Sequence, residues 1–287
     1  MNIIGHLLAF VSVFIWSVLY VCVKILLEFY TPFELLVLQF LLGYCILLAL
    51  KPKRLILKSK KEELYFALCG LCGITIYNAF LNFALTYSMA SNVSVIIAIA
   101  PLWTFIFSVI FTHNKLYVSF IIGFVIAIVG ISLLSFKNSH IQIQPFGDFL
   151  ALISSIGWGA YAILVVKVMN MKYDLLLCTR KIIFYGLIFM IPMFIFINFS
   201  PDFSHFKDIN VLSNLVFVSA FASGFCFMMW NKATTLIGAI KTNIYVYFTP
   251  LITILASYLF LGEKLSMLAI MGIIMTMLGI FISQIKY

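Results

Sequence analysis

Charge is what this chain has least of: Asp, Glu, Lys and Arg make up 9% of its 287 residues, against 64% apolar ones. A soluble fold of this length has too little interior to hide so much apolar surface, so a water-soluble protein is excluded. Long polar stretches are also missing, and no separate domain remains once the apolar runs are set aside. No Gly-rich phosphate loop is present, which excludes ATP-driven chemistry within the chain. The histidines His6, His113, His140 and His205 fall near run ends or in connections, and no His/Asp/Glu cluster has ligand spacing. Neither a metal nor another cofactor is therefore expected. The first apolar run, about Ile3 to Leu27, is too long for a secretory signal and lacks a basic leader and a small-residue cleavage site, so no cleavable signal peptide is expected. A polar cluster at the bilayer surface, which a membrane-embedded enzyme would need, is not found.

What is present is a succession of apolar runs of about twenty residues, each long enough to cross the hydrocarbon core. They predict an all-α integral membrane protein with ten transmembrane helices, near 4–27, 33–50, 64–85, 90–111, 117–136, 147–169, 175–198, 212–234, 238–261 and 266–285. The net charge of +9 does not point to nucleic acid, because the basic residues lie in connections. One side receives Lys51, Lys53, Arg54, Lys58, Lys60, Lys61, Lys115, Lys167, Lys172 and Lys286. The other receives Lys137, Lys207 and Lys264, with Lys24 at its edge. The richer side is expected to be cytoplasmic, with both termini on it, in a bacterial plasma membrane. Six cysteines all lie within apolar runs. Cys69 and Cys72 form a C-x-x-C beside Gly70 and Gly73 with no charged neighbour to lower a thiol pKa, which favours small packing residues over a redox pair.

The chain also repeats itself. Pro101 in IAIAPLWTFIFSVIFTHNKLY and Pro250 in YVYFTPLITILASYLFLGEKLS are offset by 250 − 101 = 149 residues. The same offset brings Gly123 onto Gly272, Gly130 onto Gly279, Lys115 onto Lys264 and Leu116 onto Leu265. Upstream, GHLLAFVSVFIWS matches GDFLALISSIGWG, with Trp16 on Trp158. Each copy holds five spans, and five is odd, so the second enters from the opposite face. The expectation is two inverted five-helix repeats, 1–140 and 141–287, an arrangement typical of carriers.

On these residues the chain resembles a ten-span member of the drug/metabolite transporter superfamily, of the EamA type. The resemblance covers essentially the whole chain and is most specific from Pro250 through Gly279, where LFLGEKLS precedes a glycine-spaced last helix. Two departures stand out. Thr112, His113 and Asn114 replace the usual Gly-Glu in the first copy, and Gln39 replaces an Arg that the second copy keeps as Arg180. The resemblance implies export of an amino acid or related metabolite.

Several intramembrane residues are candidates for substrate contact. Pro101 and Pro250 interrupt the fourth and ninth spans near the midplane, freeing the carbonyls of Ile97 and Val246, which must then face a cavity or a neighbouring helix. Asn243, Tyr247 and Pro250 share one helical face, and Thr242, Tyr245 and Thr249 another. Ser12, Trp16, Tyr20 and Lys24 form a stripe on the first span; Ser154, Trp158 and Tyr161 form its counterpart on the sixth. Tyr77, Asn78 and Asn82 add polarity from the third. Such stripes commonly serve packing alone, but Trp16 and Trp158 occupy matched positions away from the headgroup level where Trp concentrates. Of Arg180 and Lys181, which diverge by about 100° around their helix, Arg180 is the one expected to face inward. Lys232 and Lys241 fit snorkelling to headgroups.

The expectation is an alternating-access carrier whose partners are a small molecule and the lipid bilayer. A carboxylate-bearing cargo suits the basic inner side. Uptake of a quaternary amine through the aromatic walls is the alternative, weakened because all nine acidic residues map to loops or span ends, leaving no central counter-charge. Whether the protein pairs as a homodimer is left open.

Overall fold

The computed structural model describes residues 2–112, 117–134, 145–263 and 266–283. The matched residues Lys115, Leu116, Lys264 and Leu265 lie outside them, as do His113, Asn114, Lys137, His140, Lys286 and the expected boundary between the halves at 140/141.

Among the described residues, ten long helices make up the fold: α1 Ile3–Leu26, α2 Pro32–Leu50, α3 Lys60–Tyr87, α4 Ala90–Phe111, α5 Val118–Leu134, α6 Pro145–Met169, α7 Leu175–Phe196, α8 Ile209–Ile237, α9 Lys241–Leu261 and α10 Met267–Ser283. Eight have the length and hydropathy to cross a bilayer; α5 and α10 are apolar helices of 17 residues. The described residues contain no strand. The surface is inside-out relative to a soluble protein. Large apolar side chains such as Phe196, Phe260 and Phe281 are exposed, while Ser12, Asn82, Asn231 and Thr253 are fully buried. In lipid this is the low-energy distribution, because a polar group finds partners only inside the bundle.

Helix α3 begins at Lys60 rather than near 64 because Ser59 caps it, accepting from Glu62 N at 3.3 Å, and Glu62 and Glu63 oppose the dipole in its first turn. Helices α3 and α8 each widen into a π-helical segment, Gly70–Ile76 and Phe217–Phe225. Helix α4 breaks at Ala98–Ile99, with Pro101 in the first turn of its second half. Helix α9 tightens to a 3₁₀ turn at Tyr245–Phe248, and Pro250 opens the following segment. A proline is tolerated there because a first-turn N–H has no intrahelical acceptor.

Glycines set the closest crossings. A Cβ on Gly123 would stand 2.4 Å from the Gly279 carbonyl oxygen, and one on Gly130 2.5 Å from Thr276 N and 2.7 Å from the Gly272 oxygen. Helices α5 and α10 therefore run antiparallel with backbones in contact, as small residues permit. Gly70 and Gly73 serve similarly, against the backbone of Gly186 and the ring of Tyr161. Cys69 and Cys72 are both free thiols.

Candidate functional site

Helix α1 lies antiparallel along α8, and α6 along α3, through contacts that repeat from one pair to the other. Gly5 abuts Leu236 and Ile237, and Gly147 abuts Tyr87 and Ser88. Ser12 Oγ donates to the Cys226 carbonyl at 3.5 Å; Ser154 Oγ donates to that of Tyr77 at 2.7 Å. Thr253 Oγ1 of α9 donates to the Ser17 carbonyl at 3.0 Å, and Thr104 Oγ1 of α4 to that of Gly159 at 3.5 Å. The offsets are 147 − 5 = 142 for α1 onto α6 and 237 − 88 = 149 for α3 onto α8, those of the sequence repeat.

These pairings bring Trp16 and Trp158 together, with ring centroids 5.1 Å apart in an edge-to-face arrangement. Trp230 of α8 completes a triangle, 5.2 Å from Trp16 and 5.5 Å from Trp158. Tyr77 and Tyr161 flank Trp158 at 4.9 and 5.3 Å, and Phe227 lies 5.4 Å from Trp16. Tyr20 is buried on α1, one turn beyond Trp16. Such ring pairs contribute roughly 0.5–1.5 kcal/mol each beyond burial.

The two matched indoles differ in one respect. Trp16 Nε1 donates to the Ala222 carbonyl in the π segment of α8 at 3.0 Å. The corresponding carbonyl in α3, at 222 − 149 = 73, is Gly73, and it receives the Asn78 amide at 2.9 Å instead. Trp158 Nε1 is buried with no acceptor among the described residues. The second copy carries Phe227 at the position of Asn78, so no amide competes for Ala222. A similar asymmetry surrounds the matched asparagines. Tyr161 Oη donates to Asn231 Oδ1 at 2.8 Å, and Asn231 Nδ2 to Thr179 Oγ1 at 3.2 Å. Leu19 stands where Tyr161 would be in the first copy, and Asn82 Oδ1 is buried with no partner among the described residues.

The other sequence candidates lie elsewhere. Tyr245 Oη bonds His6 Nδ1 at 2.8 Å, at the N-terminal end of α1. Tyr247 packs on the cluster around Ala98, Ile99 and Leu102 at the α4 break. Asn243, Pro101 and Pro250 are buried at or beside the two helix discontinuities. Arg180 is apart from the aromatic group: its guanidinium donates to the carbonyls of Lys51 and Lys53, pinning the connection after α2. Lys232 and Lys241 are exposed. Sequence reasoning missed Trp230, Phe227 and Trp103, whose Nε1 donates to Ser155 Oγ at 2.9 Å. The matched pair that drew attention was Trp16 and Trp158, whereas these three face Leu81, Asn78 and Ile252 in the alignment; the i, i+3 spacing of Phe227 and Trp230 beside Asn231 was the available signal.

Both ends of the bundle are tied by charge. Glu263 accepts from Ala90 N at 2.8 Å and from Ser91 N and Oγ at 3.1 and 2.7 Å. It thereby caps α4 from the connection after α9, where a helix N-terminus favours a carboxylate. Lys24 donates to the carbonyls of Leu85 and Ser88, and Ser88 Oγ to Asp148 at 2.7 Å. At the opposite end Lys51 pairs with Asp174 at 2.6 Å and Lys181 with Glu63 at 2.8 Å.

The sequence matches the EamA-like transporter family over residues 3–136 and again over 145–284. Two proteins of Archaeoglobus fulgidus, each named an uncharacterized transporter, are similar: one is 29% identical across 100% of this chain and 99% of its own, the other 25% across 94% and 95%. A protein of Streptantibioticus cattleyicolor named "Probable terminal-alkyne amino-acid exporter" is 22% identical over 72% of this chain and 68% of its own. A solved crystal structure with 16% identity superposes with a TM-score of 0.67 over 98% of this chain and 95% of its own, a likeness of fold. With both parts of its length matched, the chain belongs to the EamA-like transporter family, as a multi-pass membrane transporter rather than an enzyme.

Proposed function

We propose that the protein exports a small carboxylate-bearing metabolite, an amino acid or a close relative, across the plasma membrane by alternating access. The observation that carries this reading is the Trp158 indole N–H, a buried donor without an acceptor among the described residues, inside an aromatic cluster. Such a group costs about 1–3 kcal/mol when left unpaired. A cargo carboxylate at Nε1 would remove that cost, and the neighbouring ring faces of Trp16, Trp230 and Tyr77 would attract an ammonium. An amino acid carries both groups on adjacent atoms. A quaternary amine would use the rings and leave the N–H unpaired. The relative named as an amino-acid exporter supports cargo class and direction.

The exchanged contacts of α1/α8 and α6/α3, together with the antiparallel α5/α10 crossing, support two inverted five-helix halves, 1–140 and 141–287. In this reading the aromatic cluster sits on the pseudo-twofold axis, and the halves rock about it. The discontinuities before Pro101 and Pro250 let half-helices tilt without breaking an intact hydrogen-bond ladder.

The test is counterflow of labelled amino acids by the purified protein in liposomes, with Trp158→Phe as the key variant because it keeps a ring and deletes the donor. Loss of one hydrogen bond to a charged group predicts an affinity for amino acids lower by roughly 10- to 100-fold, with thermal stability in the absence of cargo no lower than that of the parent protein. Displacement by choline-like cations but not by amino acids, or an unaltered Trp158→Phe variant, would overturn the assignment.

A further inference from the structure

A cavity of ≈ 490 Å³ lies between the C-terminal part of α2, the connection that follows it, the first turn of α3 and α7, on the side that carries most of the basic residues. Its chemistry changes along its length. At the mouth are Arg54, Arg180 and Lys181 with one carboxylate, Glu63, a balance of three cations to one anion. Glu63 is already engaged, paired with Lys181 at 2.8 Å and accepting the Tyr185 hydroxyl. Arg180 is held in place by the Lys51 and Lys53 carbonyls, a use of two of its five donors. The mouth is therefore a preorganised site with excess positive charge.

Deeper in, the walls become Leu48, Tyr44, Phe184 and Ile188. From Leu177 to Ile188 the cavity follows α7 for 188 − 177 = 11 residues, about 16 Å at 1.5 Å per residue. Leu48, Phe184 and Ile188 are 37%, 43% and 37% exposed, so this part opens sideways, onto the acyl region in a membrane. Nothing in the aromatic cluster contributes to it.

A cationic mouth at the level of the headgroups, continued by an apolar furrow open to the hydrocarbon, is complementary to an amphiphile and not to a soluble metabolite. We propose that this furrow binds an anionic phospholipid, its phosphate between Arg54, Arg180 and Lys181 and one acyl chain along Leu48, Phe184 and Ile188. A basic pocket between transmembrane helices at the cytoplasmic leaflet is where acidic headgroups concentrate. The site is independent of the cargo and of the reading of Trp158.

Thermal unfolding of the detergent-purified full chain tests this, read alongside native mass spectrometry of lipid adducts. Dioleoyl phosphatidylglycerol is expected to raise the melting temperature and to give a retained 1:1 adduct, whereas dioleoyl phosphatidylcholine does neither. Arg54→Gln lies in an exposed connection and should fold normally; it and Lys181→Gln should each weaken phosphatidylglycerol retention about fivefold. Ile188→Glu, placed in the furrow, should weaken it without touching the cationic mouth. Inorganic phosphate or glycerol 3-phosphate should not reproduce the effect at equal concentration. If either does, the site takes a free phosphate and the lipid assignment fails. Retention of phosphatidylglycerol unchanged in the Arg54 and Lys181 variants, or equal retention of phosphatidylcholine, would also overturn it.

Discussion

Tyr161 shows how much one hydroxyl can carry inside a bilayer. It satisfies Asn231 Oδ1 at 2.8 Å in a fully buried setting, and Asn231 passes the connection to Thr179. Tyr161→Phe should leave that acceptor unpaired and cost about 1–3 kcal/mol, measurable as a lowered melting temperature, with the ring contact to Trp158 retained. Trp158→Phe is the opposite case, harming affinity and sparing stability. At the membrane edge, Asp174 caps α7 by accepting from Leu177 N at 3.1 Å and pairs with Lys51. The hydrogen bond from Lys51, followed by that from Leu177, lowers its pKa from the usual carboxylate value. Its contribution is therefore complete above the unfolded pKa of about 3.9 and disappears as pH falls through the lowered folded value. With the side chain 41% exposed, solvent screening limits this to a few tenths of a kcal/mol up to about 1. Asp174→Asn should flatten the acid limb of a stability-against-pH curve by that amount and leave the neutral plateau slightly lower.

At the scale of elements, the α5–α10 crossing is the tightest joint. A Cβ on Gly279 would meet Ala127 N at 2.4 Å and the Gly123 carbonyl at 2.5 Å, and backbone cannot rotate away as a side chain can. Gly279→Val should force the pair apart and cost about 1–3 kcal/mol or more, seen as reduced thermal stability and loss of monodisperse protein in detergent. These glycines were visible in the sequence because their spacing recurs in both copies, and so were the ten apolar runs. The π segments were not. Their residues, GLCGITI and FVSAFASGF, carry ordinary helical patterning, and the wide turns lie where α3 packs against α7 and α8 against α2. The Trp158 donor was also invisible, since its isolation depends on Asn78 taking the Gly73 carbonyl five residues back along α3. Arg180 illustrates a different limit: a helical face can be assigned from sequence, but not which loop carbonyls will come to meet it.

For the molecule as a whole, the distribution of cations sets its sense in the membrane. The cavity containing Arg54, Arg180 and Lys181, the ends of α2 and α6, and the starts of α1, α3 and α7 share one side. By the positive-inside bias we propose that this side is cytoplasmic. Fusions at either terminus should accordingly give fluorescent GFP and inactive alkaline phosphatase; active phosphatase at both would invert the topology and place the basic furrow in the outer leaflet. Glu263 ties the α9 side to α4 at the opposite face. Its match in the first copy is Asn114, at 263 − 149, so the repeat does not supply a second carboxylate.

The wide turn in α3 has one more implication. Tyr77 N reaches back to the Cys72 carbonyl, one residue farther than in an ordinary helix. Wound as an ordinary helix with no residue removed, 70–76 would turn the downstream stretch by about 100°, moving Asn78 and Asn82 off the interior face and carrying Tyr77 away from the indoles. In evolutionary terms, the wide turn accommodates one extra codon while the greasy and the interior sides of the helix keep their places.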